Sequence, residues 1–283
     1  MRQTTVIGAA GFIGGHLVRH LRQQGFDVHE ASRDALSWPD APLGHVFYCA
    51  GLTADFAQRP HDTVDAHVAL LNRVLQQRRF ESLVYLSSTR LYDGSLADPV
   101  GEDTPLTLRP GEPRHLFDLS KALGEALCHA AGGARARVAR LSCVVHGAGD
   151  ADGFLPQLLR DVAQAVARAE EGRPPQLSVD TTPFAARDYV HLDDVLRALL
   201  LIAVRGTQPV YNVAGGRNLS NRELFARLRE LSGCDVVARR HDIVRPAPRI
   251  DISRLRNEFG WRPACMLDKL SELLPRQPAL LPC

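Results

Sequence analysis

The sequence predicts an α/β protein built on a doubly wound parallel sheet, with a smaller α/β lobe at its C-terminal end. Short apolar runs rich in β-branched residues alternate with longer helical patterns over residues 1–150, which is typical of a parallel sheet covered by helices on both faces. The first run leads through glycines directly into a helix, as in a nucleotide-binding β–turn–α unit. After Gly149 the pattern changes, since Pro- and Arg-rich stretches separate the helices. Residues 151–283 are therefore predicted to form the second lobe.

Five strands and three helices are predicted in the first lobe. The strands are runs of apolar and β-branched residues at 4–8, 27–32, 45–51, 81–88 and 136–145. The helical patterns run from the glycines to Gly25, which suits a helix end, and over 62–79 and 117–132. About a dozen residues separate the second strand from the third, too few for a full helix–strand–helix unit. That unit is expected to be absent or reduced to a stub around residues 35–38.

Three helices and one returning strand are predicted after residue 150. The helical patterns cover 155–171, 192–204 and 220–232. The apolar run at 210–215 is expected to return to the main sheet as its last strand, near residues 208–216. The two lobes are therefore expected to be interleaved along the chain.

Composition and charge favour a soluble protein of the cytoplasm. Of the 283 residues, 45% are hydrophobic and 23% charged, and the net charge of +2 gives no reason to expect a nucleic-acid partner. The longest strongly apolar run, 198–204, is too short to cross a bilayer, and the glycine-broken N-terminal segment has no signal-peptide cleavage site. The six cysteines show no metal-ligand spacing, so we expect reduced thiols and no bound metal.

The glycine-rich turn after the first strand is predicted to bind the pyrophosphate of a dinucleotide, as in a Rossmann-type sheet. Gly8 permits the tight turn, Gly11 lets the backbone approach the phosphates, and Gly14 lets helix and strand pack closely. Phe12 and Ile13 lie at the helix start, whose free N–H groups favour a phosphate. A purely structural turn is the alternative interpretation.

The end of the second strand bears on the choice between NADP and NAD. Ser32 and Arg33 occupy this position, and a hydroxyl beside a guanidinium suits a 2′-phosphate, which favours NADP. Glu30 would serve NAD if the strand ends two residues earlier, and Arg33 as a surface charge is the other alternative. Ala50 and Gly51, at the end of the third strand, are expected to line the same cofactor site.

Several ordered motifs span nearly the whole chain. They are GAAGFIG (8–14), VYLSSTRLYDG (84–94), SK followed by GE (120–125), RLSCVVHGAGD (140–150), RDYVHLDD (187–194), VYNVAGGRNLSNREL (210–224) and DISRLRNEFGWRP (251–263). Together they resemble the extended short-chain dehydrogenase/reductase family, chiefly its NAD(P)-dependent nucleotide-sugar epimerases, dehydratases and reductases. The resemblance implies hydride exchange between C4 of a nicotinamide and a carbon of a nucleotide sugar. It also implies a homodimer formed through the helices at 62–79 and 117–132.

The resemblance assigns roles to individual residues. Ser88, with Ser87 and Thr89 beside it, corresponds to the hydroxyl that helps to bind the reacting oxygen, although a strand end capped by hydroxyls is the alternative. Lys121 corresponds to the lysine that binds the nicotinamide ribose and lowers the pKa of a catalytic tyrosine; an exposed helix residue is the alternative. The chain contains only one other lysine, Lys269, and otherwise uses arginine. A lysine at position 121 in such a chain indicates a position that needs a compact ammonium donor.

Phe117 stands where the family pattern has its catalytic tyrosine. Phenylalanine fills almost the same volume but carries no proton, and the loss of a general acid/base typically lowers the rate by about 10²–10⁴. Three explanations stay open: an introduced substitution, another group that moves the proton, or a non-catalytic NADP-binding sensor or scaffold. The candidate proton carriers are His115, Asp118, Tyr92 and an ordered water. Among enzymes, a reductase of a small carbonyl compound is a further alternative.

Four residues are expected to contact the substrate. Arg187 and Arg249 are chosen because a guanidinium pairs with a diphosphate in a bidentate manner. Thr89 and Tyr92 follow the fourth strand and are expected beside them. The acidic and histidine residues within 191–194 look metal-binding at first, but the resemblance makes them a strand-to-helix junction.

Overall fold

A six-stranded parallel sheet forms the centre of the fold in a computed structural model that describes residues 3–31, 41–150, 152–170 and 173–274. Its strands are β1 Gln3–Ile7, β2 Asp27–Ala31, β3 His45–Tyr48, β4 Ser82–Ser88, β5 Ala136–Leu141 and β9 Val210–Val213. Their order is β2-β1-β3-β4-β5-β9, and every neighbouring pair is parallel. The order reverses between β1 and β3, and ligands of such sheets bind beyond the carboxyl ends of the strands at this reversal.

Helices cover both faces of this sheet, which confirms the doubly wound prediction. They are α1 Phe12–Gln23, α2 Pro60–Val64, α3 Leu70–Gln77, α4 His115–Leu127 and α6 Leu192–Arg205. The π-helical residues Asp65–Ala69 join α2 to α3, so that one continuous helix replaces the predicted 62–79. Leu17 of α1 and Leu199 of α6 belong to the apolar core on one face, whereas Leu71 of α3 belongs to the core on the other.

A smaller α/β lobe follows, as predicted. Its strands are β6 Cys143–Val145, β7 Gln176–Val179, β8 Ala186–His191, β10 Asn218–Ser220 and β11 Asp235–Ala238. Besides α6, the helices of this half of the chain are α5 Phe154–Ala167, α7 Asn221–Ser232, α8 Ser253–Phe259 and α9 Met266–Leu273. The strands form two small sheets, ordered β10-β8-β6 and β11-β7. The predicted last strand of the main sheet is observed as β9, so the chain returns to the first lobe from the second.

The prediction of a single strand over residues 136–145 is wrong. This run divides at Ser142, whose backbone N–H donates to the Val213 carbonyl oxygen at 3.1 Å, and β6 then leaves the main sheet to pair with β8. A continuous apolar run does not reveal such a change of sheet. The stub predicted around residues 35–38 lies outside the described residues.

The junction at residues 191–194 is the expected helix start. The His191 ring accepts a hydrogen bond from the Asp193 backbone N–H, and α6 begins at the next residue after His191. Over the described ranges, no three His, Cys, Asp or Glu side chains are grouped as metal ligands. The helices of those same ranges include none with the length and apolar character that a membrane span requires.

Candidate active site

A long groove crosses the carboxyl ends of the central strands. Its first section, which we call the glycine end, is a cavity of about 650 Å³ beside the turn from β1 to α1. Its second section, the lysine end, is a cavity of about 300 Å³ that reaches Ser88, Phe117 and Lys121. Gly11 and Gly51 line both sections, so the groove is continuous. Cavities of this size are typical of small-molecule and cofactor sites.

The glycine end is shaped by close approaches of the backbone. Gly8 has a φ of +87°, and a Cβ at this residue would lie 2.7 Å from the backbone nitrogen of Ala50. A Cβ at Gly14 would collide with the Gly8 carbonyl oxygen. The Gly11 N–H donates to the Gly8 carbonyl at 3.0 Å, and α1 begins at Phe12 without a side-chain cap. The first N–H groups of α1 are therefore free to bind a phosphate.

The far wall of the glycine end is acidic. Glu30, Asp62 and Asp65 line it together with Arg73. The Glu30 carboxylate accepts a hydrogen bond from the Arg22 guanidinium at 2.8 Å, and both side chains are about half exposed. Strand β2 ends at Ala31, so Ser32 and Arg33, the residues expected to favour NADP, lie outside the described residues.

Gly51 lies between two buried side chains, those of His67 and Lys121. A Cβ on Gly51 would lie 2.9 Å from His67 Nε2 and 3.2 Å from Lys121 Nζ. The His67 Nε2 accepts the backbone N–H of Leu52 at 3.2 Å, and its Nδ1 lies 2.8 Å from Ser120 Oγ. Burial, followed by the Lys121 charge, lowers the pKa of His67 to about 2. His67 is thus a neutral support for the groove wall at Gly51.

Lys121 is a buried cation that opens onto the lysine end. Its side chain is on α4, is only 5% exposed, and donates from Nζ to the Leu86 carbonyl oxygen at 2.9 Å. Burial lowers the pKa of Lys121 to about 8, although Cys49 and Glu125 both act to raise it. An ammonium held in this way has further N–H groups for a ligand.

Phe117 is packed into the wall beside Lys121. The ring is 2% exposed, and the Phe56 ring lies at a centroid distance of 5.5 Å. The His67 ring meets it edge-on at 5.4 Å, and the Arg90 guanidinium carbon lies 4.6 Å from the ring centroid. The position predicted for acid/base chemistry therefore holds an apolar ring with a cation on one side.

The two serines at the end of β4 have different surroundings. Ser88 lines the lysine end, and its oxygen accepts only the Arg90 backbone N–H, at 3.2 Å, among the hydrogen bonds of the described chain. Its hydroxyl proton can therefore be donated to a bound oxygen. Ser87 also lines the cavity, but its hydroxyl donates to Glu125 Oε1 at 2.5 Å. Ser87 thus connects the groove to the interior.

A buried ion pair lies directly behind these serines. Glu125 and Arg140 are both about 95% or more buried, and two guanidinium nitrogens of Arg140 reach the Glu125 carboxylate at 2.7 and 3.0 Å. Arg140 also donates to the Tyr92 hydroxyl at 2.6 Å, and that hydroxyl donates to Asn212 Oδ1 at 2.9 Å. The network ties α4, β5 and β9 together beneath the lysine end.

None of the four predicted substrate residues belongs to the described lining of either section of the groove. Tyr92 is fully buried in the network just described, so its hydroxyl is already used in the core. Thr89 is half-buried at the end of β4, and its hydroxyl donates to the Leu141 carbonyl at 3.3 Å. Arg187 and Arg249 have exposed side chains, 3.9 Å from Asp93 and 3.1 Å from Asp98 respectively.

The other candidate proton carriers lie beside the groove instead of in its lining. His115 uses both ring nitrogens: Nδ1 accepts the Arg109 N–H at 3.1 Å, and Nε2 lies 3.1 Å from the Glu112 carboxylate. Asp118 is 1% exposed with Oδ2 3.5 Å from Arg114, and burial raises its pKa. Neither residue belongs to the described lining of either section.

Two residues important to the geometry were not assigned roles from the sequence. His67 reaches its partner Ser120 from 53 positions away, and Glu125 reaches Ser87 from 38 positions away. Glu125 was recognised as a motif residue, since it follows the SK pair, but its partners are visible only in the folded chain. No local spacing marks His67.

Comparison with known proteins finds one family model and curated relatives that match most of the chain. The model of the NAD dependent epimerase/dehydratase family matches residues 4–214. A dTDP-glucose 4,6-dehydratase of Streptomyces griseus is 30% identical, over 92% of this chain and 88% of that protein. A dTDP-6-deoxy-L-talose 4-dehydrogenase (NAD(P)(+)) of Kitasatospora kifunensis is also 30% identical, over 92% of this chain and 91% of that protein.

A solved structure repeats the fold over almost the whole chain. It is RMD from Pseudomonas aeruginosa complexed with NADPH, with a TM-score of 0.79 and 24% identity. The likeness covers 97% of this chain and 96% of the other. At this identity the similarity supports the architecture alone.

Proposed function

The chain belongs to the NAD dependent epimerase/dehydratase family, and we propose that it exchanges hydride between a nicotinamide cofactor and a carbon of a nucleotide sugar. The observation that carries the proposal is the continuous groove from the glycine turn to Lys121 and Ser88. One end is built to accept phosphates, and the other brings a hydroxyl and a buried ammonium into one cavity. Epimerisation, dehydration and keto-reduction all begin with this exchange.

The residues of the groove fit a dinucleotide. A Cβ at Gly8 or Gly51 would lie less than 3.0 Å from a neighbouring atom, so glycine keeps the turn and the wall close together, and the start of α1 offers unpaired N–H groups. When bound, the cofactor supplies or accepts the hydride. Lys121 donates to a ribose hydroxyl at the lysine end, and Ser88 donates to the sugar oxygen on the reacting carbon. Both residues line the same cavity.

We favour NADP over NAD as the cofactor. The Glu30 carboxylate, which NAD would need as a ribose ligand, is already paired with Arg22. Ser32 and Arg33 then remain the groups for a 2′-phosphate. The carboxylates of Asp62 and Asp65 in the wall repel a 2′-phosphate and so work against this preference. Comparing NADPH binding with NADH binding therefore tests the assignment.

The substrate is proposed to lie between the lobes, beyond Ser88. Exposed Arg187 and Arg249 are the predicted partners of its diphosphate, and exchange of their present carboxylate partners for phosphate would leave each guanidinium paired. We also propose a homodimer through the helical layer that contains α3 and α4, where Leu123 is 50% exposed, and a location in the cytoplasm.

Phe117 favours one second candidate, a non-catalytic sensor or scaffold that binds NADP without turnover. Binding and turnover separate the two. Fluorescence titration with NADPH and with NADH tests the groove, and saturable binding with tighter NADPH is expected. Turnover is then assayed on a panel of dTDP-, UDP- and GDP-linked hexoses and their 4-keto forms. Binding without any turnover, in this chain and in Phe117→Tyr alike, supports the sensor; no binding of either cofactor overturns both candidates.

A further inference from the structure

The proposed reaction needs a proton carrier, and Phe117 cannot supply one. Of the three candidate side chains, two are fully engaged elsewhere and the third lies outside the cavity lining. Tyr92 has no exposed surface and lies between Asn212 and Arg140. His115 has both ring nitrogens engaged, and Asp118 lies outside the described cavity lining. The carrier must therefore be sought among the groups that do line the lysine end.

Four titratable residues of the described chain line that cavity: Cys49, Lys121, Asp150 and Asp152. Of the two carboxylates, Asp152 is exposed to solvent. Asp150 holds the loop after β6, since its carboxylate accepts the N–H groups of His146 and Gly147 at 2.7 and 3.1 Å. Burial raises the pKa of the Cys49 thiol to about 12. A thiol held in this state is a poor acid at neutral pH.

Lys121 lines the same cavity as Ser88, the residue proposed to bind the reacting oxygen. Its Nζ is bonded to the carbonyl of Leu86, and Ser88 is two residues further along the same strand. Two strand residues span about 7 Å, so the backbone carbonyl that holds the ammonium lies about this far from Ser88 at the end of β4. The bond to Leu86 uses one N–H, which leaves the others for the ribose and for an oxygen bound at Ser88.

We propose that Lys121 is itself the catalytic acid/base of this chain, in place of the missing tyrosine hydroxyl. The role rests on the proposed function. In the reductive direction the carbonyl carbon of the sugar gains the hydride of reduced nicotinamide while its C=O π bond opens. The oxygen takes a proton from the Lys121 ammonium. The ketone becomes an alcohol, the cofactor is oxidised, and the neutral amine regains its proton from solvent; oxidation of an alcohol runs the same steps backwards.

The charges around Lys121 are consistent with this role. Glu125, on the same helix, and Cys49, after β3, both favour the ammonium, whereas burial opposes it more strongly. His67, from the adjoining helix, is neutral because burial and Lys121 lower its pKa. The Tyr85 ring on β4 lies 5.0 Å from Nζ. With a pKa of about 8, ammonium and amine are both populated near neutral pH, which an acid/base requires.

The first test measures this proton directly, because the chain has only two lysines. Protein labelled with ¹³C at the lysine Cε should give two NMR signals, and Lys269→Arg removes the one from the surface pair with Glu272. The remaining signal is titrated with NADPH bound. A midpoint between about pH 7 and 9 is expected, against about 10.4 for a free lysine. A midpoint above pH 10 in that complex overturns the proposal.

The second test compares this midpoint with turnover of the 4-keto panel by NADPH. In the reductive direction the ammonium is the active form, so kcat should fall tenfold per pH unit above the NMR midpoint. Lys121→Met should lower kcat by about 10²–10⁴ at saturating NADPH and remove the pH break. Lys269→Met is the matched control and should behave like the unchanged chain. A Lys121→Met variant that retains kcat, or a flat profile, overturns the role.

Phe117→Tyr separates failure of this role from failure of the function. If the Tyr variant turns over the panel and the unchanged chain does not, Lys121 is not the acid and the family chemistry stands. If neither does, although NADPH binds, the proposed function fails and the role of Lys121 fails with it. If both do, the break in kcat should follow the Lys121 midpoint only in the unchanged chain.

Discussion

The two ends of the groove are formed by different parts of the chain, one by the backbone and the other by side chains. The glycine end is built from backbone: Gly8 and Gly14 are required because neighbouring main-chain atoms leave no room for a Cβ. The lysine end is built from buried side chains, with Lys121 in the wall and the Glu125–Arg140 pair behind it. A substitution in the backbone site acts through steric collision, whereas a substitution in the buried ion pair leaves the other charge without a partner. Substitutions at the two ends should therefore differ in what the protein loses.

The largest effect is expected behind the lysine end. Glu125→Gln removes the charge that pairs with Arg140 and leaves a guanidinium buried without its carboxylate, which typically costs about 3–5 kcal/mol. The free energy of unfolding from urea titration measures this loss. The control is Glu170→Gln, whose pair with Arg173 is about 80% exposed, and less than about 1 kcal/mol should be lost there. Equal losses of unfolding free energy in the two variants would mean that the buried pair stabilises the fold no more than the exposed pair does.

The next effect is expected at the glycine end. Gly8→Ala places a Cβ against Ala50 in a left-handed conformation, which costs about 1–3 kcal/mol in backbone strain alone. NADPH affinity should fall by about ten- to a hundredfold, because the turn must move away from the phosphates. Gly25→Ala is the matched control, since its φ of +80° is similar and no atom lies within 4 Å of the added Cβ. Gly25→Ala should lose stability but not affinity; a parallel loss of affinity would contradict the collision argument.

The same contrast explains what the sequence could and could not predict. The glycine turn is local, so strand, turn and helix are readable from the spacing of Gly8, Gly11 and Gly14. The doubly wound parallel sheet follows from the alternating patterns and is confirmed, whereas the order of its strands was not predicted. The side-chain network is not local: the pairing of Ser87 with Glu125 joins residues 38 positions apart. The division of the run at Ser142 was missed for the same reason, since the partner of β6 is β8.

A smaller effect, dependent on pH, is expected at His67, where the two ends meet. Its pKa is about 2 in the folded chain and near 6.5 when unfolded, because burial and Lys121 disfavour the imidazolium. Below pH 6.5 only the unfolded chain takes up this proton, so stability is lost as pH falls, by about 1.4 kcal/mol per unit. Above pH 6.5 His67 is neutral in both the folded and the unfolded chain, so it causes no further change of stability with pH.

His67→Gln should remove this slope while keeping a hydrogen-bonding side chain near Leu52. The measurement is the free energy of unfolding of both proteins from pH 7.5 to 5, and their difference should shrink as pH falls. The carboxylates and the other histidines are common to both proteins and cancel in that difference. Parallel curves would show that His67 is protonated in the folded state and is no neutral support.

The smallest effect tests which group of the glycine end reads the adenosine ribose. Glu30 and Arg22 are both about half exposed, and a pair of this kind is typically worth no more than about 1 kcal/mol. Glu30→Gln should therefore change the ratio of NADPH to NADH dissociation constants by less than about fivefold. Arg33→Ser, in contrast, should reduce the preference for NADPH by more than tenfold if a guanidinium holds the 2′-phosphate. A reversal, in which Glu30→Gln loses NADH affinity and Arg33→Ser changes nothing, would make Glu30 the ribose ligand and NAD the cofactor. If Glu30 is the ribose ligand, its carboxylate must be shared between the ribose and Arg22, so Arg22→Gln should strengthen NADH binding; under the NADP assignment it should leave NADH binding unchanged.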